Sequence, residues 1–358
     1  MPSKQKALLA ATGEALSTAE IYLAAARARL FAQVAPDGRL ALDRLANEQI
    51  AAHSFAWMAS YVTALRQLRV WAVRLDEAGL LGEIDALILE IVFGEYLAQL
   101  AGGVPMAQAE FARPQDLGLG ESDIAPLRAG AAGALAAETV AARLRLGARL
   151  AETGEGALGN IGIDDADLDM IRDQVRRFAE REVAPNAQDW HRQDRLIPLP
   201  IVEELGAIGV FGMTIPDRYG GLGLGKLAMS VVSEELSRAY LGVGSLGTRS
   251  EIAGELIRLN GTEAQKVRWL PQIASGKVLP TAVFTEPNTG SDLASLQTRA
   301  VRDGAVYRVY GAKTWITHGA RSDLMTLLAR TDPAERGYQG LSMFLAKKPR
   351  GSEEDPFP

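Results

Sequence analysis

The hydrophobic periodicity of the chain changes near residue 280, and this change restricts the folds that the chain can adopt. Before residue 280, apolar side chains recur at helical spacing, whereas from Thr281 β-branched and aromatic residues alternate with polar ones. The dipeptide Asp303-Gly304 separates two such runs and predicts a β-hairpin. The predicted strands begin at Thr281 and continue at 298–302, 306–310, 314–317 and 325–328. Helices followed by a run of antiparallel strands predict an α+β fold rather than a doubly wound sheet.

The helical part of the chain divides into two blocks. The first block, 1–153, is rich in Ala and Leu and predicts a helical bundle. The glycines that follow it, within 154–159, predict a linker. We therefore expect a helical N-terminal extension at 1–153, a helical domain at 154–280 and a β-domain at 281–358. The final residues, 354–358, close no domain that we can identify, so we expect the β-domain to be incomplete.

Individual helices are predicted from apolar spacing and from capping residues. Asp164-Asp165 fits an N-cap, and the helix that follows is expected to end at Val183-Ala184-Pro185. Thr262, with Gln265 three residues later, fits a capping box for a short helix that stops near Pro271. The other predicted helices span 41–75, 84–102, 134–151, 200–205, 226–238 and 251–259.

The composition argues against several classes of function. Lys and Arg number 38 against 44 Asp and Glu, and the net charge of −6 argues against a nucleic-acid-binding protein. The absence of Cys excludes disulfides, iron–sulfur clusters and a Cys nucleophile. Only three His residues are present, which argues against a zinc site. Difficult chemistry in such a chain is expected to come from an organic cofactor.

The sequence contains no segment that predicts a membrane span or a targeting signal. The most apolar window, 84–100, is interrupted by Asp85, Glu90 and Glu95, so it cannot cross a bilayer. The apolar stretch at the start of the chain ends at residues 12–14 and is too short for a signal-peptide core. We therefore expect a cytoplasmic protein without a membrane partner.

A glycine-rich segment, Gly-Gly-Leu-Gly-Leu-Gly-Lys-Leu at 220–227, nearly matches a phosphate-binding P-loop. The match fails at Leu227, where a Ser or Thr hydroxyl is needed to bind magnesium. The segment also approaches the dinucleotide fingerprint, but turn-forming residues at 216–220 precede it instead of a strand. We interpret it as a tight loop before a helix.

Two segments in the strand-rich part carry residues suited to chemistry. The first, 281–293, leads from a strand into a loop that contains a proline, a glycine and several hydroxyls. Such a loop can present N–H and O–H groups to a pyrophosphate or a flavin edge, and an ordinary Asx or Ser turn is the alternative. The second, 310–320, places Trp315 and Thr317 on one face of a predicted strand. This pair can flank an aromatic ring system; the alternative is a core Trp beside a surface Thr.

In their order along the chain, these segments and others resemble the acyl-CoA dehydrogenase family of flavoproteins from about residue 165 onwards. The motifs that carry the resemblance are Pro-Asp-Arg-Tyr-Gly-Gly at 216–221, Glu-Glu-Leu-Ser-Arg at 234–238, Gly-Thr-Glu-Ala-Gln-Lys at 261–266, Thr-Glu-Pro-Asn-Thr-Gly-Ser-Asp at 285–292 and Lys-Thr-Trp-Ile-Thr at 313–317. The resemblance implies FAD, a helical N-terminal domain, a middle β-domain and a helical C-terminal domain. It also implies α,β-dehydrogenation of an acyl-CoA thioester, electron transfer to an electron-transfer flavoprotein, and a homo-oligomer.

At the first segment, the resemblance assigns cofactor and substrate contacts. Phe284 and Thr285 would line the flavin, and Gly290 would allow close approach. Ser291 would contact the FAD pyrophosphate or the acyl-CoA substrate. Two residues depart from the usual pattern, since Phe284 replaces a smaller aliphatic residue and Thr289 replaces Ala or Gly. Both residues can reshape the acyl pocket. We therefore do not assume that this protein prefers the same acyl-chain lengths as ordinary members of the family.

At the second segment, the resemblance implies that Trp315 covers one flavin face and that Thr317 forms a hydrogen bond near N5. The family's catalytic base is a Glu that lies beyond the β-domain, and we expect it beyond Pro358. Glu286 is interpreted as a structural or flavin-positioning residue, and His318 as a surface residue on a turn. We therefore name no catalytic base among these residues.

Members of the family that carry an additional helical segment ahead of the dehydrogenase core resemble this chain more specifically. Residues 1–153 correspond to such a segment, and residues 284–292 are similar to the signature of these members. Taken without the resemblance, the first block can also be a docking or dimerisation bundle. Other functions stay open: an oxygen-using acyl-CoA oxidase or flavin monooxygenase, or a non-enzymatic interaction module that retains a dehydrogenase-like remnant.

Overall fold

The computed structural model describes residues 4–153, 160–335 and 337–356, and the chain divides into two compact units, Met1–Asp164 and Asp165–Pro358. The predicted linker at 154–159 lies outside the described residues. Helices and strands after Asp165 belong to the same unit. None of the described helices is long and apolar enough to cross a membrane.

The N-terminal unit is a helical bundle, as its composition predicts. Its elements are α1 (Lys4–Val34), α2 (Leu42–Asn47), α3 (Gln49–Glu77), α4 (Glu83–Gly102), the antiparallel strands β1 (Val104–Pro105) and β2 (Phe111–Ala112), α5 (Glu121–Arg128) and α6 (Gly130–Thr153). The helix predicted at 41–75 is thus two helices, α2 and α3. Met58 and Leu65 of α3 and Phe93 and Leu97 of α4 are fully buried and lie in one apolar core.

Gly94 permits the close packing of α4 against α6. A Cβ atom at this position would lie 2.6 Å from the carbonyl oxygen of Leu135, and closer still to Oγ1 of Thr139. Because interiors are packed at crystal-like density, the neighbouring helix has no space for an added methyl group. The small residue therefore sets the distance between the two helices.

In the C-terminal unit, helices precede the sheet. They are α7 (Ala166–Phe178), α8 (Ala184–Arg192), α9 (Leu199–Ala207), α10 (Gly225–Ala239), α11 (Leu241–Asn260) and α12 (Glu263–Ala274). Asp165 caps α7, since its side chain accepts hydrogen bonds from the amides of Asp167 and Leu168. Thr262 and Gln265 form the predicted capping box of α12. The glycine-rich segment is a loop that leads into α10, as predicted.

Several helix boundaries differ from the prediction. Helix α7, the first of the C-terminal unit, is not followed by a break at Pro185. It continues through a π-helical turn, Ala179–Val183, into α8. Pro185 lies in the first turn of α8, directly after the π-helical turn. Pro271 likewise lies inside α12. Helix α11 starts at Leu241, well before the predicted residue 251, because several glycines in its first half weaken the helical signal.

The sheet of the C-terminal unit is mixed. Its strands are β3 (Pro280–Val283), β4 (Arg299–Asp303), β5 (Val306–Tyr310), β6 (Leu324–Arg330) and β7 (Leu341–Lys347), in the order β3-β6-β4-β5 with β7 also paired to β6. The predicted β4–β5 hairpin is confirmed, and β6 and β7 are also antiparallel. However, β3 and β4 pair with β6 in parallel. The α+β class is confirmed, but the sheet is mixed and not antiparallel. The parallel pairing of β3 with β6 is possible because the long connection between them brings the chain back to run in the same direction.

Buried apolar side chains hold the helices against the sheet. Ile257 of α11, Ile273 of α12 and Leu324 of β6 belong to one core cluster. This packing places α11 next to β3.

Candidate functional site

The two segments singled out in the sequence lie side by side in the C-terminal unit. The first, 281–293, begins in β3, and the second, 310–320, runs from the end of β5 towards β6. The amide of Thr314 donates a hydrogen bond of 3.0 Å to the carbonyl oxygen of Thr285. The hydroxyl of Thr281 donates to the carbonyl oxygen of Thr317 at 2.5 Å. Contacts from both ends of the second segment therefore fix it against the first.

A buried ion pair joins the same two segments. Nζ of Lys313 donates to the carbonyl oxygen of Phe284 at 2.8 Å and to Oε1 of Glu286 at 3.1 Å. The Glu286 carboxylate also accepts hydrogen bonds from the amides of Gln297 and Thr298, at 2.7 and 2.8 Å. Glu286 is only 5% exposed. We call this arrangement the Lys313–Glu286 clamp.

The electrostatics of the clamp keep Glu286 ionised. Burial acts to raise the pKa of its carboxyl group, but hydrogen bonds from Thr298, Gln297 and Lys313 outweigh burial and lower the pKa to about 2. A carboxylate with so low a pKa and so many donors is a poor base. This geometry supports the prediction that Glu286 is a structural or positioning residue.

Trp315 is exposed, and its backbone is not that of a strand. Residues 311–316 form no strand, and Trp315 has a φ of 57°, in the left-handed region that non-glycine residues rarely adopt. The predicted strand at 314–317 is therefore wrong, and so is the reason given for Trp315 and Thr317 sharing a face. The alternative of a core Trp is also wrong, since Trp315 is 88% exposed. The loop presents an indole to solvent.

Hydroxyl groups on both segments are free to bind a ligand. Among the residues that the structure describes, the side chains of Thr285, Ser291 and Thr317 form no hydrogen bond. Ser291 is exposed, and Thr285 and Thr317 are half-buried. An exposed indole and unpartnered hydroxyls on the same pair of segments suit a planar aromatic group that has a polar edge. The chemistry of these side chains thus fits the flavin and ribityl parts of FAD.

The loop around Gly290 is held by its own turn. The amide of Glu286 donates to the carbonyl oxygen of Thr289 at 2.9 Å, and the hydroxyl of Thr289 donates to the carbonyl oxygen of Asp292 at 2.6 Å. A Cβ atom at Gly290 would make only an ordinary contact of 3.7 Å with Thr285. The protein's own atoms therefore do not require a glycine at position 290. That Gly290 allows a ligand to approach the backbone closely stays a prediction.

His318 lies on a turn, as expected, but its ring is packed against α11 rather than exposed. Its Nε2 lies 3.0 Å from Oγ of Ser245, and this hydroxyl donates to the carbonyl oxygen of Gly242 at 2.9 Å. Because a hydroxyl carries one hydrogen, His318 donates from Nε2 in this arrangement. Burial, with a smaller contribution from the charge of Arg249, lowers the pKa of His318 to about 4. The ring is therefore neutral at pH 7.

Two cavities adjoin the sheet. One of about 310 Å³ lies beneath the second segment and is lined by Thr281, Thr298, Lys313 and Ile316, among others. A larger one, of about 710 Å³, is lined by residues of 294–302 and 330–337. Neither of these two is lined by Trp315, whose indole is exposed. In the described part of the chain, no group of three or more Asp, Glu or His side chains is placed to hold a metal ion.

Sequence reasoning missed the residues that support the site. Lys313 was noted only as part of a motif, although it joins both segments. Ser245 on α11 was not singled out, because no local signal connects it with His318, which is far away in sequence. The sequence pattern places Thr281 only at the start of a strand. Their roles depend on tertiary contacts.

The chain is similar to known proteins over nearly its whole length. The family model for the acyl-CoA dehydrogenase N-terminal domain matches residues 165–277, and the model for the middle domain matches 281–353. The (2S)-methylsuccinyl-CoA dehydrogenase of Cereibacter sphaeroides is 56% identical over 354 residues, which are 98% of this chain and 64% of that protein. The mitochondrial isovaleryl-CoA dehydrogenase of Pongo abelii is 38% identical over 50% of this chain and 43% of that protein. A crystal structure of an acyl-CoA dehydrogenase from Geobacillus kaustophilus has a TM-score of 0.49 and 33% identity, over 51% of this chain and 48% of that one.

These matches differ in how much of the chain they include. The similarity to the Cereibacter protein extends over the N-terminal unit, which neither family model matches. That protein is thus similar to this chain in its additional helical segment as well as in its core. This chain in turn spans less than two thirds of the length of either relative.

Proposed function

The chain belongs to the acyl-CoA dehydrogenase family, and on this premise we propose that it takes part in the FAD-dependent α,β-dehydrogenation of an acyl-CoA thioester. The proposed substrate is (2S)-methylsuccinyl-CoA and the product is mesaconyl-CoA. The observation that carries the activity is the exposed Trp315 beside the unpartnered hydroxyls of Thr285 and Thr317. The identity of 56% to a methylsuccinyl-CoA dehydrogenase, over both units, supports the choice of substrate.

In the proposed site, the two loop segments hold FAD. Thr285 and Thr317 donate hydrogen bonds to the edge of its ring system, and the indole of Trp315 covers one ring face. Phe284 lines the ring through its backbone. Ser291 binds the pyrophosphate or the acyl-CoA, and Gly290 leaves room beside it. The Lys313–Glu286 clamp keeps the loops in register, since it connects them by a buried ion pair.

FAD, when bound, supplies the acceptor for the hydrogen that leaves the β-carbon. The protein's task is to orient the thioester, to exclude water, and to stabilise the negative charge that develops on the thioester oxygen. A carboxylate must also remove the α-proton. Glu286 does not suit that role, because its lone pairs are occupied by Lys313 and by backbone amides. We propose that the base is a Glu outside the described residues.

The proposed partners follow from the same chemistry. An acyl-CoA provides the electrons, and an electron-transfer flavoprotein receives them. We further propose that the protein is a cytoplasmic homo-oligomer.

Anaerobic titration of the FAD-loaded protein with (2S)-methylsuccinyl-CoA tests the activity. We expect the absorption bands of oxidised flavin to disappear and mesaconyl-CoA to form. An unchanged flavin spectrum across a panel of acyl-CoA thioesters contradicts the proposal. Rapid reoxidation by air with release of hydrogen peroxide would identify an oxygen-using enzyme instead, and failure to retain flavin would favour an interaction module.

A further inference from the structure

The backbone on both sides of Thr317 adopts a conformation that needs support from its surroundings. Trp315 and His318 have φ values of 57° and 60°, in the left-handed region that is freely open only to glycine. Such a conformation persists where contacts with the rest of the structure fix it. The contacts that fix this turn therefore also determine where the hydroxyl of Thr317 is presented.

Two hydrogen bonds hold the backbone of this turn from the side of the sheet. The carbonyl oxygen of Thr317 accepts from the hydroxyl of Thr281 on β3, at 2.5 Å. The carbonyl oxygen of His318 accepts from the amide of Ser322, at 3.0 Å, just before β6 begins. Neither bond involves a helix. The side chain of Thr317 takes part in neither and is free among the described residues.

The ring of His318 connects the same turn with α11. Its Nε2 lies 3.0 Å from Oγ of Ser245, and that hydroxyl donates to the carbonyl oxygen of Gly242 at 2.9 Å. Because the single hydrogen of the hydroxyl is used on Gly242, Oγ accepts from the ring. A chain of two hydrogen bonds thus runs from the backbone of α11 to the residue that directly follows Thr317.

We propose that Ser245 and His318 are positioning residues that hold the hydroxyl of Thr317 towards the edge of the flavin ring. This inference rests on the proposed function. If the ring of His318 is released from α11, the peptide between His318 and Thr317 can rotate, and the Thr317 hydroxyl moves with it. Hydrogen bonds weaken steeply as their angle departs from linear. Loss of the Ser245 hydroxyl should therefore weaken a flavin contact that Ser245 does not itself make.

A double-mutant cycle tests this indirect role, with Ser245→Ala measured alone and combined with Thr317→Val. Absorbance titration with FAD gives the dissociation constant and the visible spectrum of the bound flavin. Ser245→Ala should raise the dissociation constant by about 3- to 10-fold, the value of one hydrogen bond. It should also shift the flavin bands in the same direction as Thr317→Val. When Thr317→Val is already present, Ser245→Ala should change the dissociation constant by less than about 2-fold, because the contact through which it acts is gone.

Ser230→Ala is the matched control for loss of a helix hydroxyl. The Ser230 side chain likewise donates to a carbonyl oxygen of its own helix, that of Lys226 at 2.9 Å, and it has no hydrogen bond to either segment of the site. This variant should leave both the affinity for FAD and the flavin spectrum unchanged. A change as large as that of Ser245→Ala would show that any lost helix hydroxyl has this effect, and would refute the proposal.

His318→Asn removes the same contact from the other side and decides the case if Ser245→Ala does not fold. It lacks the ring nitrogen that reaches Ser245, and Asn tolerates the left-handed backbone at this position. Like Ser245→Ala, it should weaken FAD binding in the wild-type background and have little effect in the presence of Thr317→Val. Equal weakening in both backgrounds would overturn the proposal.

The outcomes separate this inference from the proposed function. If the wild-type protein does not bind FAD, the proposed function fails and this inference fails with it. If Thr317→Val binds FAD with the wild-type affinity and spectrum, Thr317 is not a flavin contact and the positioning role is refuted. If Thr317→Val weakens binding but Ser245→Ala has the same effect with and without it, or no effect, the proposed function stands and the positioning role is refuted.

Discussion

Nζ of Lys313 lies 2.8 Å from the carbonyl oxygen of Phe284 and 3.1 Å from the carboxylate of Glu286, so one side chain joins both loops of the candidate site. Both members of the pair are almost fully buried. A buried pair is not in itself evidence of high stability, but the loss of one partner leaves an uncompensated charge. The clamp therefore makes the position of one loop depend on the other.

Lys313→Met should destabilise the C-terminal unit by about 3 kcal/mol, because Glu286 is then buried without its cation. Urea unfolding followed by circular dichroism measures the change. Lys277→Met is the matched control at an exposed position, and it should change stability by less than about 0.5 kcal/mol. Equal stability of the two variants would show that the clamp does not hold the loops.

The stability of the protein should depend on pH through Glu286. The folded pKa is about 2, below the ordinary value of 4.5, so the stabilisation is fully present above the ordinary pKa and is lost as pH falls through the folded value. Between pH 5 and pH 2 the wild-type protein should therefore lose more stability than Glu286→Gln, which cannot titrate. Asp189→Asn, at an exposed position, should follow the wild-type profile. Parallel wild-type and Glu286→Gln profiles would contradict the low pKa.

Trp315→Ala should weaken FAD binding with little change in stability. The indole is 88% exposed, so its removal from the free protein should cost less than about 0.5 kcal/mol. Loss of its stacking area should raise the dissociation constant for FAD by about 10-fold or more. Tyr338→Ala is the control, since Tyr338 is 76% exposed but lies outside both segments. Fluorescence titration with FAD makes the comparison, and equal affinities for the two variants would exclude the indole contact.

Two glycines test the packing of the N-terminal unit. Gly94→Ala should destabilise it by about 2 kcal/mol, because the added methyl would meet the backbone of α6. Gly147→Ala, inside α6 with no atom within 4 Å of the added Cβ, should instead stabilise it by about 0.5–1 kcal/mol. Thermal unfolding measures both. Stabilisation by both substitutions would mean that helix propensity, and not the α4–α6 distance, determines the result.

The parts of the fold that depend on local signals were predictable. The capping box at Thr262 and the β4–β5 hairpin at Asp303-Gly304 each follow from a few neighbouring residues. The parallel pairing of β3 with β6 was not predictable, because it connects strands that are far apart in sequence. The alternating residues around Trp315 have a strand-like pattern, but the chain instead adopts a left-handed backbone conformation there.

The candidate site was located from motifs and from the family resemblance, whereas its supporting contacts required the structure. The resemblance identified Thr285, Ser291 and Trp315, but the exposure of the indole is a tertiary property. The burial of His318 depends on α11. The first half of this helix is rich in glycine, so its apolar spacing did not predict a helix there.

A crystal structure of the protein with FAD tests the central claim most directly. The isoalloxazine ring should lie with one face against the indole of Trp315 and its edge near the hydroxyls of Thr285 and Thr317. A ring bound elsewhere, for example against the glycine-rich loop at 220–225, with Trp315 still exposed to solvent, would contradict the assignment of the cofactor to these two loops.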